Sequence, residues 1–350
     1  MRWVKGVIFT ILLVIGFVTV GYFYIDYTLQ SPKRDKETVI EVPEDTSLKQ
    51  IGQILKQKNL IRDDSFFRYY TFFRSKTNLI AGTYIIQPSD DIDKIINKIS
   101  SGKQDLVTIE VPNGFDVEKI ALRLSSKLNI KKEDFFKEVN RKEPRTNIEK
   151  EIPTKPGRVY KLEGYLMPAK YQFKKGATAQ QVVDQMLNQF EKELEKLDYK
   201  NKLQEKKLSL DDWVTKASLV VKEGAVDKEY PMIAGVIDNR LTDTKREWKL
   251  QIDAAIVYAW ALQGEKKERL MNKDLTIDSP YNIYENKGLP VGPIASPGEK
   301  ALMAVLNPEK SNYFFYVAKN DGSNEHYFSE TDAEHKKFIE KAKENAKKQQ

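Results

Sequence analysis

The chain has 350 residues, 40% of them hydrophobic and 31% charged, and its 58 Lys and Arg against 51 Asp and Glu leave a formal net charge of +7. This length allows two or three domains of about 100–200 residues, the ordinary composition excludes wholesale disorder, and the scattered basic residues lack the concentrated pattern of a nucleic-acid-binding protein. The absence of cysteine excludes disulfides and a thiolate nucleophile, and two histidines are too few for a histidine-rich metal site, so we expect neither metal nor cofactor.

An uncharged apolar run over residues 6–25 predicts a transmembrane helix. About 20 apolar residues, each rising 1.5 Å, span the hydrocarbon core of a bilayer. The alternative is a cleaved signal peptide, but the run is longer than a usual signal core and does not end in an Ala-x-Ala-like site. We therefore expect a retained anchor over residues 6–26.

The charges around this run predict its orientation. Arg2 and Lys5 precede it and Asp26 follows it, so the positive-inside rule places residues 1–5 in the cytoplasm and the remainder of the chain outside the cell membrane. Residues 27–37 are polar and are expected to form a short stalk.

Residues 39–43 and 108–112 have the matching sequences Val-Ile-Glu-Val-Pro and Thr-Ile-Glu-Val-Pro, which indicates an internal duplication. In each copy a strand is predicted to end at the proline. A small polar residue, Ser47 or Asp116, then precedes a helix with apolar residues at i, i+3 and i+7. Such strand-helix modules occur in wall-binding domains and as plain scaffolds, and the pattern leaves both open.

A cluster of aromatic residues lies in the second predicted helix of the first copy. Aromatic side chains at this spacing are more often core than a sugar-binding platform, so we expect them to be buried. The cluster consists of Phe66, Phe67, Tyr69, Tyr70, Phe72 and Phe73.

A helix that begins at Ser209 carries the main candidate for chemistry, Glu223. Its apolar residues follow a buried stripe, and Glu223 lies at the edge of that stripe, immediately before the helix stop Gly224. Partial desolvation there would raise the pKa of the carboxyl, as a general acid near neutral pH requires. The alternative is an ordinary exposed helical glutamate.

Short runs of Gly, Pro, Tyr and Asn after Gly157 are typical of loops that hold a functional site. Their neutral polar groups suit sugar hydroxyl and acetamido groups. Asp253 and Glu163 are rival acids, Asp253 also fits a structural turn, and His326 fits either a site wall or a structural role. The candidate substrate-binding residues are Glu163, Tyr165, Asn239, Gln251, Asp253, Tyr281, Asn282, Tyr284 and His326.

The ordered set of segments resembles the YceG-like family of endolytic peptidoglycan transglycosylases. It comprises Leu-Glu-Gly-Tyr at 162–165, the helix that ends in Glu223, Leu-Gln-Ile-Asp at 250–253 and the proline-rich loops over 279–298. The resemblance extends from residue 39 to residue 335. It implies that Glu223 is the catalytic acid, and that cleavage leaves 1,6-anhydro-N-acetylmuramic acid ends.

The resemblance also implies an α+β architecture with a single anchor helix. A LysM-like subdomain is expected over residues 38–104, a catalytic domain over 105–340 with its core at 157–335, and a charged tail over 341–350.

Three residues at two sites depart from the family pattern. Val221 stands where the family usually has a glutamate, and Ala169-Lys170 stand where it usually has Asp-Thr. We expect an endolytic enzyme that acts on nascent glycan strands, with peptidoglycan synthases as candidate partners and the ending of strand elongation as a further hypothesis. A glycan-binding scaffold without catalysis is the alternative.

Overall fold

The computed structural model describes residues 2–102, 106–246 and 248–349. The chain divides into a first unit, Met1–Val107 with Gln172–Gly176, and a second unit, Thr108–Tyr171 with Ala177–Gln350. The domain boundary expected at residue 104 lies outside the described residues. Helices and short two-stranded sheets make up both units, so the predicted α+β class is confirmed.

The N-terminal helix α1 covers Arg2–Leu29. Its segment Gly6–Leu29, 24 residues long, is apolar and long enough to cross a membrane, and none of the 18-residue window is buried. The side chains of Arg2 and Lys5 lie outside the described residues.

The predicted stalk differs from the structure at its beginning. Helix α1 continues three residues past Asp26, Thr28 is buried, and Leu29 packs against the core of the first unit. Farther along, the Arg34 guanidinium donates hydrogen bonds to the carbonyl oxygens of Leu60, Gln87 and Asp90. The segment is therefore attached to the first unit rather than free.

In the described part of residues 30–102, the first unit has one antiparallel sheet and three helices after α1. Strands β1 and β2 pair with Thr38 opposite Ile86 and Val42 opposite Gly82. Ser47 and Gln50 form a capping box at the start of α2. The Ser47 side chain accepts a hydrogen bond from the Gln50 backbone N–H, and the Gln50 side chain accepts one from the Ser47 backbone N–H. The elements are β1 Thr38–Val42, α2 Leu48–Gln57, α3 Asp64–Phe73, β2 Gly82–Ile86 and α4 Ile92–Ser101.

The aromatic cluster of α3 is only partly in the core. Phe67 is fully buried, but Tyr69, Phe72 and Phe73 are exposed, so the prediction of burial is wrong for these three. The reason is that one face of α3 packs on α2, whereas Tyr69, Phe72 and Phe73 point away from that face.

Both copies of the predicted duplication contain a strand that leads into a helix. Strand β3, Leu106–Glu110, leads into α5, Val117–Leu128, as β1 leads into α2. Asp116 accepts a hydrogen bond from the Lys119 N–H and so caps α5. The sheets differ, because β1 pairs with β2 whereas β3 pairs with β4.

The second unit is mainly helical, with the helices α10, α11 and α13 packed together. The Trp213 indole N–H donates to the carbonyl of Leu302, 2.8 Å away, and joins α10 to α13. After α5 the chain forms α6 Lys132–Val139, α7 Asn147–Glu151, β4 Lys170–Lys174, whose last three residues belong to the first unit, α8 Ala179–Lys196, α9 Tyr199–Lys206, α10 Leu210–Glu223, α11 Tyr230–Thr242, α12 Asp253–Leu262, α13 Glu299–Leu306, β5 Phe315–Ala318, β6 His326–Ser329 and α14 Asp332–Lys348.

The charged C-terminal segment is part of α14, which packs against β5 and β6. Ala342 is buried, and the Asn345 side chain donates to the carbonyl of Lys319 at 2.7 Å. Residues 341–348 therefore belong to the folded unit.

Candidate active site

Glu223 is the last residue of α10. Ser209 caps the start of this helix by accepting a hydrogen bond from the Asp212 N–H at 3.0 Å. The helix ends at Gly224, whose backbone is extended, and a Cβ at this position would lie 2.6 Å from the Tyr230 ring, so glycine fits here. The local signals thus place Glu223 at a helix C-terminus, where the negative end of the helix dipole disfavours the ionised carboxylate.

The surroundings of Glu223 favour a carboxyl that holds its proton. The side chain is half-buried, and the Tyr316 hydroxyl donates a hydrogen bond to its Oε2 at 2.8 Å. Burial raises the pKa of Glu223 above its ordinary value, and Asp253 adds to the rise. The Tyr316 hydrogen bond, His326 and Arg240 oppose it without cancelling it.

Arg240, on α11, and Tyr316, on β5, complete the immediate environment of this carboxyl. The Arg240 guanidinium lies 5.7 Å from the centre of the Tyr316 ring, and its Nε donates to the carbonyl of Phe314 at 2.8 Å. Burial lowers the pKa of Arg240, and Tyr316 and Glu223 counteract it. These contacts hold a cation close to the carboxyl, where it stabilises the ionised form.

Sequence reasoning did not assign a site role to either residue. Arg240 could have been found, because it follows Val236 by four positions and Ile237 by three and so falls on the inward stripe of α11. A cation on such a stripe needs a partner. Tyr316 carries no comparable signal in its strand.

A second carboxyl, that of Asp253, is exposed to solvent at the start of α12. The Tyr284 hydroxyl donates a hydrogen bond to it. Burial raises the pKa of Tyr284, and the carboxylates of Asp253 and Glu223 contribute. Gln251 is exposed beside them, and its backbone N–H donates to the carbonyl of Ile283 at 3.0 Å.

The buried side chain of Asn282 holds the loop that carries Tyr284. Its amide nitrogen donates to the carbonyls of Leu275 and Ile277 at 2.9 and 2.8 Å. Its Oδ1 accepts from the Tyr284 N–H at 3.0 Å. Asn282 is almost fully buried, so it shapes the loop that carries Tyr284 and does not face the open side.

A cleft of about 480 Å³ opens beside Glu223. His326 lies on its wall, and its Nδ1 is 2.7 Å from Oε2 of Glu229, whose Oε1 accepts the His326 backbone N–H at 2.9 Å. Glu229 therefore orients the imidazole. The lining residues are Glu223, Ala225, Ala318, Asn320, Gly322, Asn324, Glu325, His326, Ala346 and Gln349.

Four of the predicted residues are engaged in the protein interior instead. Glu163 is fully buried and accepts hydrogen bonds from the Val117 N–H, the Gly164 N–H and the Tyr258 hydroxyl. This enclosure argues against direct contact with a substrate. Burial, with a contribution from Asp116, raises the pKa of Glu163 to about 8.

Tyr165, Tyr281 and Asn239 also have structural surroundings. The Tyr165 hydroxyl donates to Asp211 at 2.7 Å, and Tyr281 packs edge-on against Tyr258. The Asn239 amide donates to two backbone carbonyls, those of Ser311 and Tyr313, at 2.9 and 2.8 Å. Asn239 thereby holds the chain that leads into β5.

The family departure at Val221 lies away from the cleft. A Cβ placed on Gly114 would be 3.8 Å from the Val221 Cγ2 methyl, so this side chain faces the loop before α5. The carbonyl of Ala169 accepts the Val111 N–H at 2.9 Å, and Lys170 begins β4. Neither segment is among the residues that line the cleft.

Comparison with known proteins shows the family of this chain. The model of the YceG-like family matches residues 40–341. A Bacillus subtilis (strain 168) protein named endolytic murein transglycosylase is 33% identical over 332 residues, 92% of this chain and 89% of that protein. A protein of the same name from Streptococcus pneumoniae serotype 2 is 30% identical over 344 residues, 90% of this chain and 61% of that protein.

A crystal structure of a yceG-like protein from Listeria monocytogenes has a TM-score of 0.58 at 33% identity, and the match covers 87% of this chain and 99% of that chain. Fold and site together define an α+β protein with an N-terminal apolar helix and a half-buried glutamic acid on a polar cleft. The chain belongs to the YceG-like family, as the resemblance predicted.

Proposed function

We propose that this chain is a lytic transglycosylase that cleaves peptidoglycan glycan strands internally, with Glu223 as its catalytic acid. The observation that carries the proposal is a carboxyl with a raised pKa that borders an open cleft and accepts a hydrogen bond from Tyr316. The relatives from Bacillus subtilis and Streptococcus pneumoniae, both named endolytic murein transglycosylase, support the reaction class and the substrate.

In the proposed first step Glu223 donates its proton to the glycosidic oxygen that leaves C1 of an N-acetylmuramic acid unit. The bond from C1 to that oxygen breaks, and the sugar's acetamido group helps to stabilise the positive charge at C1. Glu223 is then an anion, and the Tyr316 hydroxyl and the nearby Arg240 stabilise it. A buried charge with such partners forms more readily than an isolated one.

In the second step the carboxylate takes the proton of the C6 hydroxyl while that oxygen bonds to C1. The product is a 1,6-anhydro end, water does not attack, and Glu223 recovers its proton. This scheme needs one carboxyl in both roles, unlike ordinary glycoside hydrolysis with two. Proton transfer of this kind contributes roughly 100- to 10,000-fold.

The open side of the site offers groups for the sugar. Asp253, Tyr284 and Gln251 would hydrogen-bond hydroxyl and acetamido groups, and His326 would form a wall held by Glu229. Of these four residues, His326 lines the cleft, Gln251 and Asp253 are exposed, and Tyr284 is half-buried.

We further propose that α1 anchors the chain with its second unit outside the cell, where the peptidoglycan lies. The charges of Arg2, Lys5 and Asp26 support that orientation. Such an enzyme would cut nascent strands and could end their elongation, with peptidoglycan synthases as neighbours. A non-catalytic glycan-binding scaffold is the competing function, since Val221 and Ala169-Lys170 depart from the family.

The test compares wild type and Glu223→Gln on uncrosslinked glycan strands, with anhydro ends measured by mass spectrometry. The amide keeps the size of the side chain but cannot transfer the proton, so turnover should fall at least about 100-fold. Glu325→Gln is a matched control on the same cleft, because Lys228 and Lys319 already pair with that carboxylate. It should retain most of the activity.

Two results would contradict the proposal. Anhydro ends formed by Glu223→Gln at nearly the wild-type rate would exclude Glu223 as the acid and make Asp253 the next candidate. Wild-type protein that binds strands but leaves no anhydro ends would favour the scaffold.

A further inference from the structure

Helix α3 exposes a group of large aromatic side chains in the first unit. Tyr69, Phe72 and Phe73 are 72%, 75% and 83% exposed, and we call these three residues the α3 patch. Single exposed apolar residues are ordinary, but three large aromatic rings within five positions form a contiguous surface that favours a partner.

The face that carries the patch also contacts the membrane helix. Phe66 and Tyr24 meet edge to face with ring centres 6.3 Å apart. Phe73 follows Phe66 by two helical turns and Tyr69 follows it by three residues, so both lie on the Phe66 side of α3. Two of the three patch residues, Tyr69 and Phe73, therefore share one side of the helix with the α1 contact.

The position of Tyr24 in α1 indicates how deep in the bilayer its contact with Phe66 lies. The uncharged run of α1 ends at residue 25, and Asp26 is the first charged residue after it. When that run spans the hydrocarbon core, Tyr24 lies at the boundary between hydrocarbon and headgroups. Phe66 touches Tyr24, so α3 begins at the level of the bilayer surface.

Arg62 forms a second contact between α1 and the rest of the first unit. The Arg62 guanidinium lies 4.1 Å from the centre of the Tyr27 ring, and its Nε donates to the carbonyl of Gln30 at 3.0 Å. Leu29 packs on the core of the first unit. These contacts attach the last turns of α1 directly to the segment before α3.

Basic residues follow along the chain after Asp63 and Asp64, which stand at the start of α3. Residues 65–88 contain no Asp or Glu, whereas Arg68, Arg74 and Lys76 lie within this stretch. Arg74 pairs with Asp93 but remains half exposed, and Lys76 is exposed beside it. Basic residues flanking aromatic ones are typical of helices that lie in a membrane interface.

We propose that the α3 patch lies in the interfacial layer of the bilayer and forms a second membrane contact beside α1, on a phospholipid surface with anionic headgroups. Aromatic rings are favoured at the headgroup level, where their apolar faces leave water. The contact would restrict rotation of the first unit about α1. It rests on the proposed anchoring by α1 and does not depend on the catalytic proposal.

The chain has no cysteine, so one introduced cysteine gives a single labelling site in the full-length protein. Phe73→Cys would carry an environment-sensitive fluorophore, in vesicles of phosphatidylglycerol and phosphatidylethanolamine that contain lipids with a nitroxide at defined depths. We expect lipid-dependent quenching that places the label about 5–10 Å below the headgroup boundary.

Glu44→Cys is the control. Glu44 is exposed before the start of α2, and Lys56, near the other end of this ten-residue helix, pairs with Asp64 of α3. The two ends of α2 are about 15 Å apart. This label should stay in water, and an unchanged melting temperature would show that both variants fold.

Quenching at residue 73 no greater than at residue 44 would overturn the proposal. It would also be overturned if the residue-73 label were shielded only by added glycan strands or by a second copy of the chain, without quenching by lipid nitroxides. Those results would assign the patch to sugar binding or to self-association.

Discussion

Two glutamates of the second unit, Glu163 and Glu223, have raised pKa values, and burial is the main cause in both. Their surroundings differ. Two backbone N–H groups and the Tyr258 hydroxyl enclose Glu163, whereas Glu223 borders the cleft. A raised pKa therefore marks a candidate acid only where a substrate can reach the proton.

At the residue scale, Tyr316→Phe should move the alkaline limb of the pH-rate profile to higher pH. The Tyr316 hydrogen bond stabilises the ionised carboxylate and so lowers the pKa of Glu223, and its loss raises that pKa further. Activity requires the protonated acid, so it should persist to higher pH, although turnover falls because the anion formed in the first step is less stable. Tyr313→Phe, on the same segment, is the control, and a limb that stays in place would count against the assigned contact.

A second residue-scale prediction concerns the stability of the fold around Glu163. The unfolded carboxyl titrates near 4.5 and the folded one near 8, so between these values the folded state keeps a proton that the unfolded state has released. Wild-type stability should therefore fall as pH rises from about 5 to about 8, by at most about 1.4 kcal/mol per pH unit.

Glu163→Gln lacks this titration. It should be less stable than wild type at pH 5, because an amide cannot accept from all three donors, and the difference should narrow toward pH 8. Urea unfolding at four pH values measures it. A difference that is independent of pH would refute the assigned titration.

At the element scale, the β5–β6 hairpin supplies both Tyr316 and His326, and α14 supports it from one side. The Phe338 ring stacks on Tyr327 with centres 4.8 Å apart, and Asn345 bonds to Lys319. The hairpin is a two-stranded sheet, and an isolated pair of strands is only marginally stable. The C-terminal helix is therefore expected to stabilise the site.

Deletion of residues 341–350 tests this expectation. It removes the buried Ala342 and the Asn345 hydrogen bond, which should lower the free energy of unfolding by about 1–2 kcal/mol and reduce activity. Hydrogen exchange should increase in β5 and β6 more than in α10. Unchanged exchange in the hairpin would mean that the last turns of α14 do not support it.

At the scale of the whole molecule, the apolar helix α1 contributes little to the cores of the folded units. None of its 18-residue apolar window is buried, and Leu29, at its end, packs against the core of the first unit. Deletion of residues 1–27 should therefore leave a soluble, folded protein. Cooperative thermal unfolding and a dispersed proton spectrum would support this expectation, and a molten spectrum would contradict it.

Much of the local structure was predictable because its signals are local. The run without charges over residues 6–25, the repeated strand-helix pattern and the stop at Gly224 each depend on residues close together in sequence. The position of Glu223 at the end of a buried stripe follows from the same rules. The LysM-like subdomain, the bounds of the catalytic domain and the catalytic role of Glu223 remain predictions.

Contacts between distant segments could not be predicted in this way. Glu223 and Tyr316 are 93 positions apart in sequence, and their contact depends on how β5 packs against α10 and α11. Glu163 was an alternative candidate to Glu223 for the catalytic acid, because the sequence does not show which carboxyl is buried away from solvent. Tyr69, Phe72 and Phe73 looked like core because the pattern does not show which face of α3 lacks a neighbour.

Sequence alone determined the apolar helix, the order of strands and helices in the duplicated modules and the helix end that carries Glu223, because hydrogen bonding and side-chain periodicity within a few residues decide these features. Tertiary structure alone decided that Glu223 faces a cleft while Glu163 is sealed, and that Arg240 and Tyr316 stand beside the acid. The reason is that burial and charge proximity depend on which elements pack together, and this packing sets the pKa of a carboxyl and its access to substrate.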